Sequence, residues 1–260
     1  MGLFERLQKP FLTVETGEAY QPIRLSYFLY QKEKLIDLLN QLKCCEKLPS
    51  GLSWHWFWRN ECDDLHFESL ESFKKNPDNP VRLGTLSIRE DILYINLPSF
   101  KRACLAVPFF HKTIPLSITK VNKADFINKV FGLDERLPHG FAELFKEEEL
   151  EKIVSQRIQE FEETQEKVAY ANTIEEAFNI LSEFNHSESK KRLPYAERYV
   201  FQETDAEDAD VIFLCFYIFL RGRELVAIHR WFGETGYSIS DAAEETIEKV
   251  FGNMNIDLLE

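Results

Sequence analysis

The longest apolar segment of the chain is a run of ten residues at 211–220, and a second apolar stretch follows it up to Phe232. Val, Ile, Phe and Tyr dominate the run, and these residue types favour a β-strand. Both alternating faces are apolar, which is typical of a strand covered on both sides. Ten residues are also too few to span a bilayer, which needs about 20. An Arg-Gly pair separates the two stretches, so the pattern predicts a central β-hairpin over 211–232 with Arg221 and Arg223 exposed at its tip.

Periodicity in the rest of the chain predicts strands and helices in an irregular order. Alternating apolar and polar residues predict strands at 23–30, 52–59 and 195–202 and a hairpin over 81–97. Apolar residues three and four positions apart predict helices at 33–42, 122–131, 141–171, 174–184 and 242–251. The apolar segment 100–110 fits either state, although Pro108 disfavours an uninterrupted helix. This mixture predicts an α+β fold, mainly antiparallel sheet with flanking helices.

Two of the helices have residues that specify their start and their buried side. A capping box of Thr173 and Glu176 predicts where the helix at 174–184 begins, and Asp241 with Glu244 gives the same pattern for the last helix. The apolar residues of the helix at 174–184 predict its buried face, which comprises Ala177, Phe178, Ile180, Leu181 and Phe184.

Two predicted helices end in the same four residues, Lys-Val-Phe-Gly, at 129–132 and at 249–252. One interpretation is a pair of pseudo-repeated α/β halves, 1–140 and 172–260, joined by a long acidic helix at 141–171. The other interpretation is one mixed sheet whose helices share an ending, because glycine commonly terminates helices.

The chain is acidic, with a formal net charge of −13 over 260 residues. Nucleic-acid phosphates and anionic membranes both attract an excess of Lys and Arg, so this charge disfavours them as partners. Five cysteines, two of them adjacent, do not fit an oxidised disulfide framework. Residues 1–12 lack the basic and apolar regions of a signal peptide. Together these features predict a cytoplasmic protein with reduced thiols.

Trp54, Trp56 and Trp58 share one face of the predicted strand at 52–59, and Arg59 follows them. Three interpretations are open. The strand can bury its indoles beneath a helix, it can anchor a protein partner, as Trp and Arg often do, or it can stack the bases of a single-stranded nucleic acid. No basic patch accompanies the indoles in the sequence, which weakens the third interpretation.

Residues with metal-ligand or catalytic chemistry form no recognised motif. One cluster has metal-ligand side chains, namely Cys44, Cys45, His55, Cys62 and His66. It contains no Cys-x2-Cys pair, so neither a metal nor a cofactor is predicted. Nucleophile-elbow, phosphate-loop, dinucleotide-binding and zinc-protease motifs do not occur in the sequence. An enzymatic function requires that catalytic residues distant in sequence converge in three dimensions.

The sequence therefore favours a non-enzymatic protein-interaction protein, such as an adaptor, assembly factor, chaperone or inhibitor. Its predicted partner is another protein, with a second copy of the chain as an alternative. The predicted partner-binding residues are Trp54, Trp56, Trp58, Arg59, Arg221 and Arg223. The acidic helix is a further candidate for docking a basic partner. Two alternatives are an enzyme with dispersed carboxylate and histidine residues and a single-stranded nucleic-acid binder that uses the tryptophan face.

Overall fold

The computed structural model of the chain describes residues 9–49, 51–67, 78–138, 140–201 and 209–251, with the backbone alone at 142 and 249–251. Its strands are β1 (Ile23–Leu29), β2 (Cys45–Lys47), β3 (Ser53–Phe57), β4 (Arg82–Arg89), β5 (Ile92–Leu97), β6 (Thr119–Ile127) and β7 (Ala196–Val200). Its helices are α1 (Lys32–Gln41), α2 (Phe100–Thr113), α3 (Phe141–Leu144), α4 (Glu147–Ala169), α5 (Ile174–Lys190), α6 (Ala209–Trp231) and α7 (Ile239–Phe251). Helices beside one antiparallel sheet confirm the predicted α+β class.

Within the described residues, the strands form one antiparallel sheet of seven in the order β2-β3-β4-β5-β1-β6-β7. The hairpin predicted over 81–97 is present as β4 and β5. Strand β1 lies in the interior of the sheet, with Ile23 opposite Leu97 on one side and opposite Phe126 on the other. Because all these strands belong to a single sheet, the interpretation as two pseudo-repeated halves is not confirmed.

The main core lies between the sheet and helix α2, and helix α6 packs against α2. Phe100 of α2 and Phe219 of α6 both place their rings edge-on against Phe126 of β6, with centroid distances of 5.5 and 5.7 Å. Edge-to-face contacts of this kind add to the free energy gained by burying each ring. Strand β6 therefore connects the sheet to both helices.

The central hairpin predicted over 211–232 is wrong, because these residues belong to the single helix α6. The helix is apolar around much of its circumference and has neighbours on several sides, so burial outweighs the β-propensity of its Val, Ile and Phe residues. Gly222, which the sequence suggests as a turn residue, lies inside the helix, where an added Cβ would lie 3.9 Å from Cβ of Ala242 in α7. Among the described helices, α6 included, none has the length and apolar character needed to cross a membrane.

Two further segments have a secondary structure that the sequence pattern did not predict. The helix predicted over 122–131 is wrong, since most of this segment belongs to β6 and pairs with β1 and β7. The ambiguous segment 100–110 is helical and forms most of α2. The hydroxyl of Ser99 caps this helix by accepting a hydrogen bond from the backbone N–H of Arg102 at 3.2 Å, and Pro108 is tolerated inside it.

The start of α5 predicted from Thr173 and Glu176 is confirmed, although Glu176 Oε2 accepts from the backbone N–H of Asn172 at 2.8 Å and not from that of Thr173. Thr173 Oγ1 accepts a hydrogen bond from the backbone N–H of Glu176 at 3.1 Å, and the helix continues past its predicted end at residue 184. Helix α7 starts earlier than predicted. Its capping pair is Ser238 with Asp241, since Asp241 Oδ2 accepts a hydrogen bond from the Ser238 N–H at 2.7 Å.

Candidate interaction surface

The tryptophan face predicted for partner binding lies largely in the core. Trp54 and Trp56 are fully buried. The indole N–H of Trp54 donates to Asn40 Oδ1 at 2.9 Å, and that of Trp56 donates to Cys62 Sγ. Trp58 is half-buried, with its ring 4.7 Å from that of Phe67. Trp54 and Trp56 therefore offer no surface for a protein or for nucleic-acid bases.

The three arginines predicted for partner binding are engaged within the fold. Arg59 is half-buried and donates from Nε to the carbonyl oxygen of Lys43 at 2.8 Å. Arg221 and Arg223 lie in the interior of α6 and not at a hairpin tip, because the hairpin does not form. Arg221 pairs with Glu224 one helical turn later, while Arg223 stacks its guanidinium 3.4 Å from the ring centroid of Phe219.

Glu197 on β7 fixes helices α4 and α6 beside the edge of the sheet. Its side chain is fully buried and accepts hydrogen bonds from Arg157 of α4, from Arg223 Nη2 at 3.0 Å and from Asn128 Nδ2 at 2.8 Å. Burial alone would raise the pKa of Glu197, but Arg223 and Arg157 outweigh burial and lower the pKa to about 2. The carboxylate is therefore charged at neutral pH and ties the two helices to the strand.

A second ion-pair network holds the first turn of α4. Arg198 of β7 donates to Asp125 Oδ2 at 3.1 Å and to Glu147 Oε2 at 2.8 Å, and Lys123 also pairs with Glu147 at 2.7 Å. The hydrogen bond from Arg198 is the main reason that the pKa of Glu147 falls to about 2. Because α4 is held at its first turn and again at Arg157, it is a firm support for the helix that packs on it.

Helix α5 leaves an apolar stripe uncovered. Ile174, Phe178 and Leu181 recur at spacings of four and three residues and are 90%, 69% and 38% exposed. They are named here the α5 stripe. No residue of α5 is buried. The prediction of Phe178 and Leu181 as part of the buried face is wrong, because the half-buried side of the helix, where Phe184 approaches Phe161 of α4, covers only part of its apolar arc.

The surroundings of the α5 stripe are acidic. Residues 147–190 contain twelve Glu against four Lys and Arg, a formal net charge of −8. Most of these carboxylates are exposed, and four of the twelve lie on α5 itself, namely Glu175, Glu176, Glu183 and Glu188. Lys191 pairs with Glu160 at 2.7 Å and thereby fastens the end of α5 to the middle of α4. The pair α4–α5 therefore presents an apolar stripe within a negatively charged surface.

A small cavity gathers titratable side chains between α2, α6 and the loop before β1. Its volume is about 220 Å³, and its lining includes Glu18, Lys101, Cys104, Arg221 and Glu224. Burial raises the pKa of the Cys104 thiol to about 12, so this thiol is protonated at neutral pH and is a poor nucleophile. Oε2 of Glu18 is buried and accepts no hydrogen bond within the described residues. Two carboxylates are thus candidates for acid–base chemistry, but the described lining contains no histidine.

The sequence cluster of cysteines and histidines does not converge on a metal centre. Within the residues that the structure describes, no group of three or more His, Cys, Asp or Glu side chains could hold a metal ion. Cys62 is buried whereas His66, its partner by spacing, is exposed. The thiols of Cys44, Cys45 and Cys62 are free and buried. They contribute to the core around β2 and β3.

Comparison with protein-family models, with curated proteins and with solved structures finds no match to this chain. The functional argument therefore depends on the fold and on its surface. These define an α+β protein in which a helical pair at the sheet edge displays an uncovered apolar stripe.

The α5 stripe was not identified as a binding surface from the sequence, although the spacing of its apolar residues is visible there. Residues 174, 178 and 181 recur at helical spacing, which indicates an apolar face but not whether another element covers it. Tyr170, which is 85% exposed, lies four positions before Ile174 but caps the end of α4 and is not part of α5. The feature that distinguishes the stripe is the width of the apolar arc of α5, which is too wide for one neighbouring helix to cover.

Proposed function

We propose that this chain is a protein-interaction protein, an adaptor, assembly factor, chaperone or inhibitor, whose partner binds the α5 stripe. The observation that supports the proposal is the exposure of Ile174, Phe178 and Leu181 on a helix with no buried residue. Exposed apolar residues that recur along one helix face match the way an amphipathic helix binds a complementary surface. Aromatic and aliphatic anchors of this kind contribute most of the free energy of binding at protein interfaces.

The proposed partner carries a basic amphipathic segment. With a formal net charge of −8 across residues 147–190, the helical pair attracts cations and repels a second copy of itself. A partner whose apolar residues contact the α5 stripe and whose Lys and Arg residues meet the surrounding glutamates satisfies both features. Screening by salt weakens the electrostatic part and leaves the apolar part.

The two alternative functions receive less support. Burial of Trp54 and Trp56 removes the aromatic platform on which the nucleic-acid interpretation depends. An enzyme would use the cavity beside Glu18 and Glu224, whose carboxylates are suited to proton transfer. The histidines expected of a dispersed carboxylate and histidine site do not line that cavity within the described residues.

The substitution Phe178→Ser is expected to weaken partner binding at least about tenfold, since an interface aromatic commonly contributes more than about 1.4 kcal/mol. Because Phe178 is 69% exposed, the free energy of unfolding is expected to change by no more than about 0.5 kcal/mol. The measurement uses tagged full-length chain to capture proteins from its native cell lysate, with and without nuclease. Affinity for the captured protein is then measured by calorimetry at two salt concentrations.

Tyr30→Ser is the matched control, because Tyr30 is 58% exposed and directly follows β1, where its N–H donates to the carbonyl oxygen of Ile118, so it belongs to neither helix of the pair. It is expected to bind the partner like the wild type. Equal binding by Phe178→Ser and the wild type would contradict the proposed surface. Light scattering adds a separate check: a stable dimer that dissociates in Phe178→Ser would show that a second copy covers the stripe.

A further inference from the structure

A basic pocket lies where the C-terminal end of α6 meets the segment between α5 and β7. Its volume is about 640 Å³. Four cations line it, namely Lys9, Lys129, Arg192 and Arg230. No carboxylate belongs to its described lining, although the whole chain has a formal net charge of −13. Cations concentrated at one place on an acidic protein indicate a local function for positive charge.

Two of the four cations already have contacts in the fold. Lys9 Nζ donates to the carbonyl oxygen of Trp231 at 2.9 Å and lies 4.4 Å from the centroid of the indole ring. The indole N–H of Trp231 in turn donates a hydrogen bond to the carbonyl oxygen of Lys9 at 2.8 Å. Lys129 pairs with Glu135. These contacts hold both lysines at the wall of the pocket.

The two arginines have no such contacts. Within the described part of the chain, the guanidinium groups of Arg192 and Arg230 have no hydrogen-bond or ion-pair partner. Burial lowers the pKa of Arg230, and the positive charge of the neighbouring Arg192 lowers it further. Two guanidinium groups that repel each other beside a cavity raise the free energy of the empty protein. An anion bound between them would remove this cost.

We propose that this pocket binds a small phosphate monoester that carries a planar aromatic group, with its phosphate between Arg192 and Arg230. A monoester phosphate carries a charge of about −1.5 to −2 at neutral pH and has three strong acceptor oxygens. Arginine suits this group because its planar fork donates two parallel hydrogen bonds. Tyr195, which is 52% exposed, and Trp231 line the same pocket and offer aromatic surface to the rest of the ligand. A pocket of this size is typical of small-molecule sites.

Calorimetry on the full chain tests the proposal with four probes: adenosine monophosphate, phenyl phosphate, inorganic phosphate and adenosine. We expect saturable binding of at least one monoester, binding of inorganic phosphate at least tenfold weaker, and no binding of adenosine. The two monoesters differ in their aromatic group and show whether a nucleotide or a simple aryl phosphate is preferred. In R192Q/R230Q we expect affinity for the monoester to fall by at least about tenfold, the equivalent of about 1.4 kcal/mol.

The double variant K34Q/K112Q is the charge-matched control, because both lysines are exposed on other helices, α1 and α2. It removes two positive charges and is expected to bind the monoester like the wild type. Absence of saturable binding by both monoesters would overturn the proposal, as would equal affinity in R192Q/R230Q and the control. Inorganic phosphate that binds as tightly as the monoesters would overturn the assignment of an organic ligand. Thermal melting of R192Q/R230Q, expected to match the wild type or exceed it, separates lost binding from lost folding.

Discussion

Trp56→Ala is expected to lower the free energy of unfolding by about 3–5 kcal/mol, the range measured when a large buried aromatic side chain is truncated. Trp56 is fully buried, and its ring centroid lies 5.4 and 5.0 Å from those of Phe109 and Phe110 in α2. Its indole N–H also donates to Cys62 Sγ, so truncation removes a hydrogen bond as well as packing. Urea denaturation followed by far-ultraviolet circular dichroism measures the loss.

Trp58→Ala is the comparison for this experiment. Trp58 lies two residues later, just past the end of β3, and is only half-buried. Its truncation is therefore expected to cost clearly less than that of Trp56, because less apolar area leaves the core. A denaturation midpoint for Trp56→Ala close to that of the wild type would contradict the placement of β3 under α2. The tryptophan face would then again be a candidate surface for partner binding.

Strands with one polar face were predictable from the sequence. In β3 to β5 the alternation separates buried from half-exposed residues, as at Leu93 and Ile95, so register and face follow from the pattern. The segment at 211–232 lacks this information because it is apolar on both faces, and local propensity then favours a strand. Its helical state depends on packing against α2 and α7, which are distant in sequence.

The candidate sites depended still more on contacts between distant residues. Trp54 and Trp56 could be placed on one face, but whether helix or solvent covers that face is decided by α2, more than forty residues later. The α5 stripe has a visible period, yet its exposure depends on which side of α5 packs against α4, as at Phe184 and Phe161. The basic pocket combines residues from four separate segments, at 9, 129, 192 and 230, and their spacing along the sequence does not indicate that they lie together.

Glu197→Ala is expected to lower the free energy of unfolding by about 3–5 kcal/mol, because breaking a buried ion pair from one side leaves the opposite charge uncompensated. In this variant Arg223, whose side chain is 12% exposed, would lose its described acidic partner, and Arg157 would lose the contact that holds α4 to β7. Chemical denaturation at neutral pH measures the effect. Glu175→Ala is the control, since Glu175 is exposed on α5, and it is expected to change stability by no more than about 0.5 kcal/mol.

The effect of Glu197→Ala should also depend on pH in a defined direction. Burial acts to raise the pKa of Glu197, but Arg223 and Arg157 lower it from an ordinary value of 4.5 to about 2 in the folded chain. The unfolded chain therefore takes up the proton first as the pH falls, so the stabilisation by Glu197 is complete above about pH 5 and is lost progressively towards pH 2. The difference in stability between the wild type and Glu197→Ala should shrink over this range, whereas Glu175→Ala should follow the wild type throughout. A difference that stays constant from pH 7 to pH 3 would show that the carboxylate contributes through packing and not through its charge, and the anchoring of α4 would then need another cause.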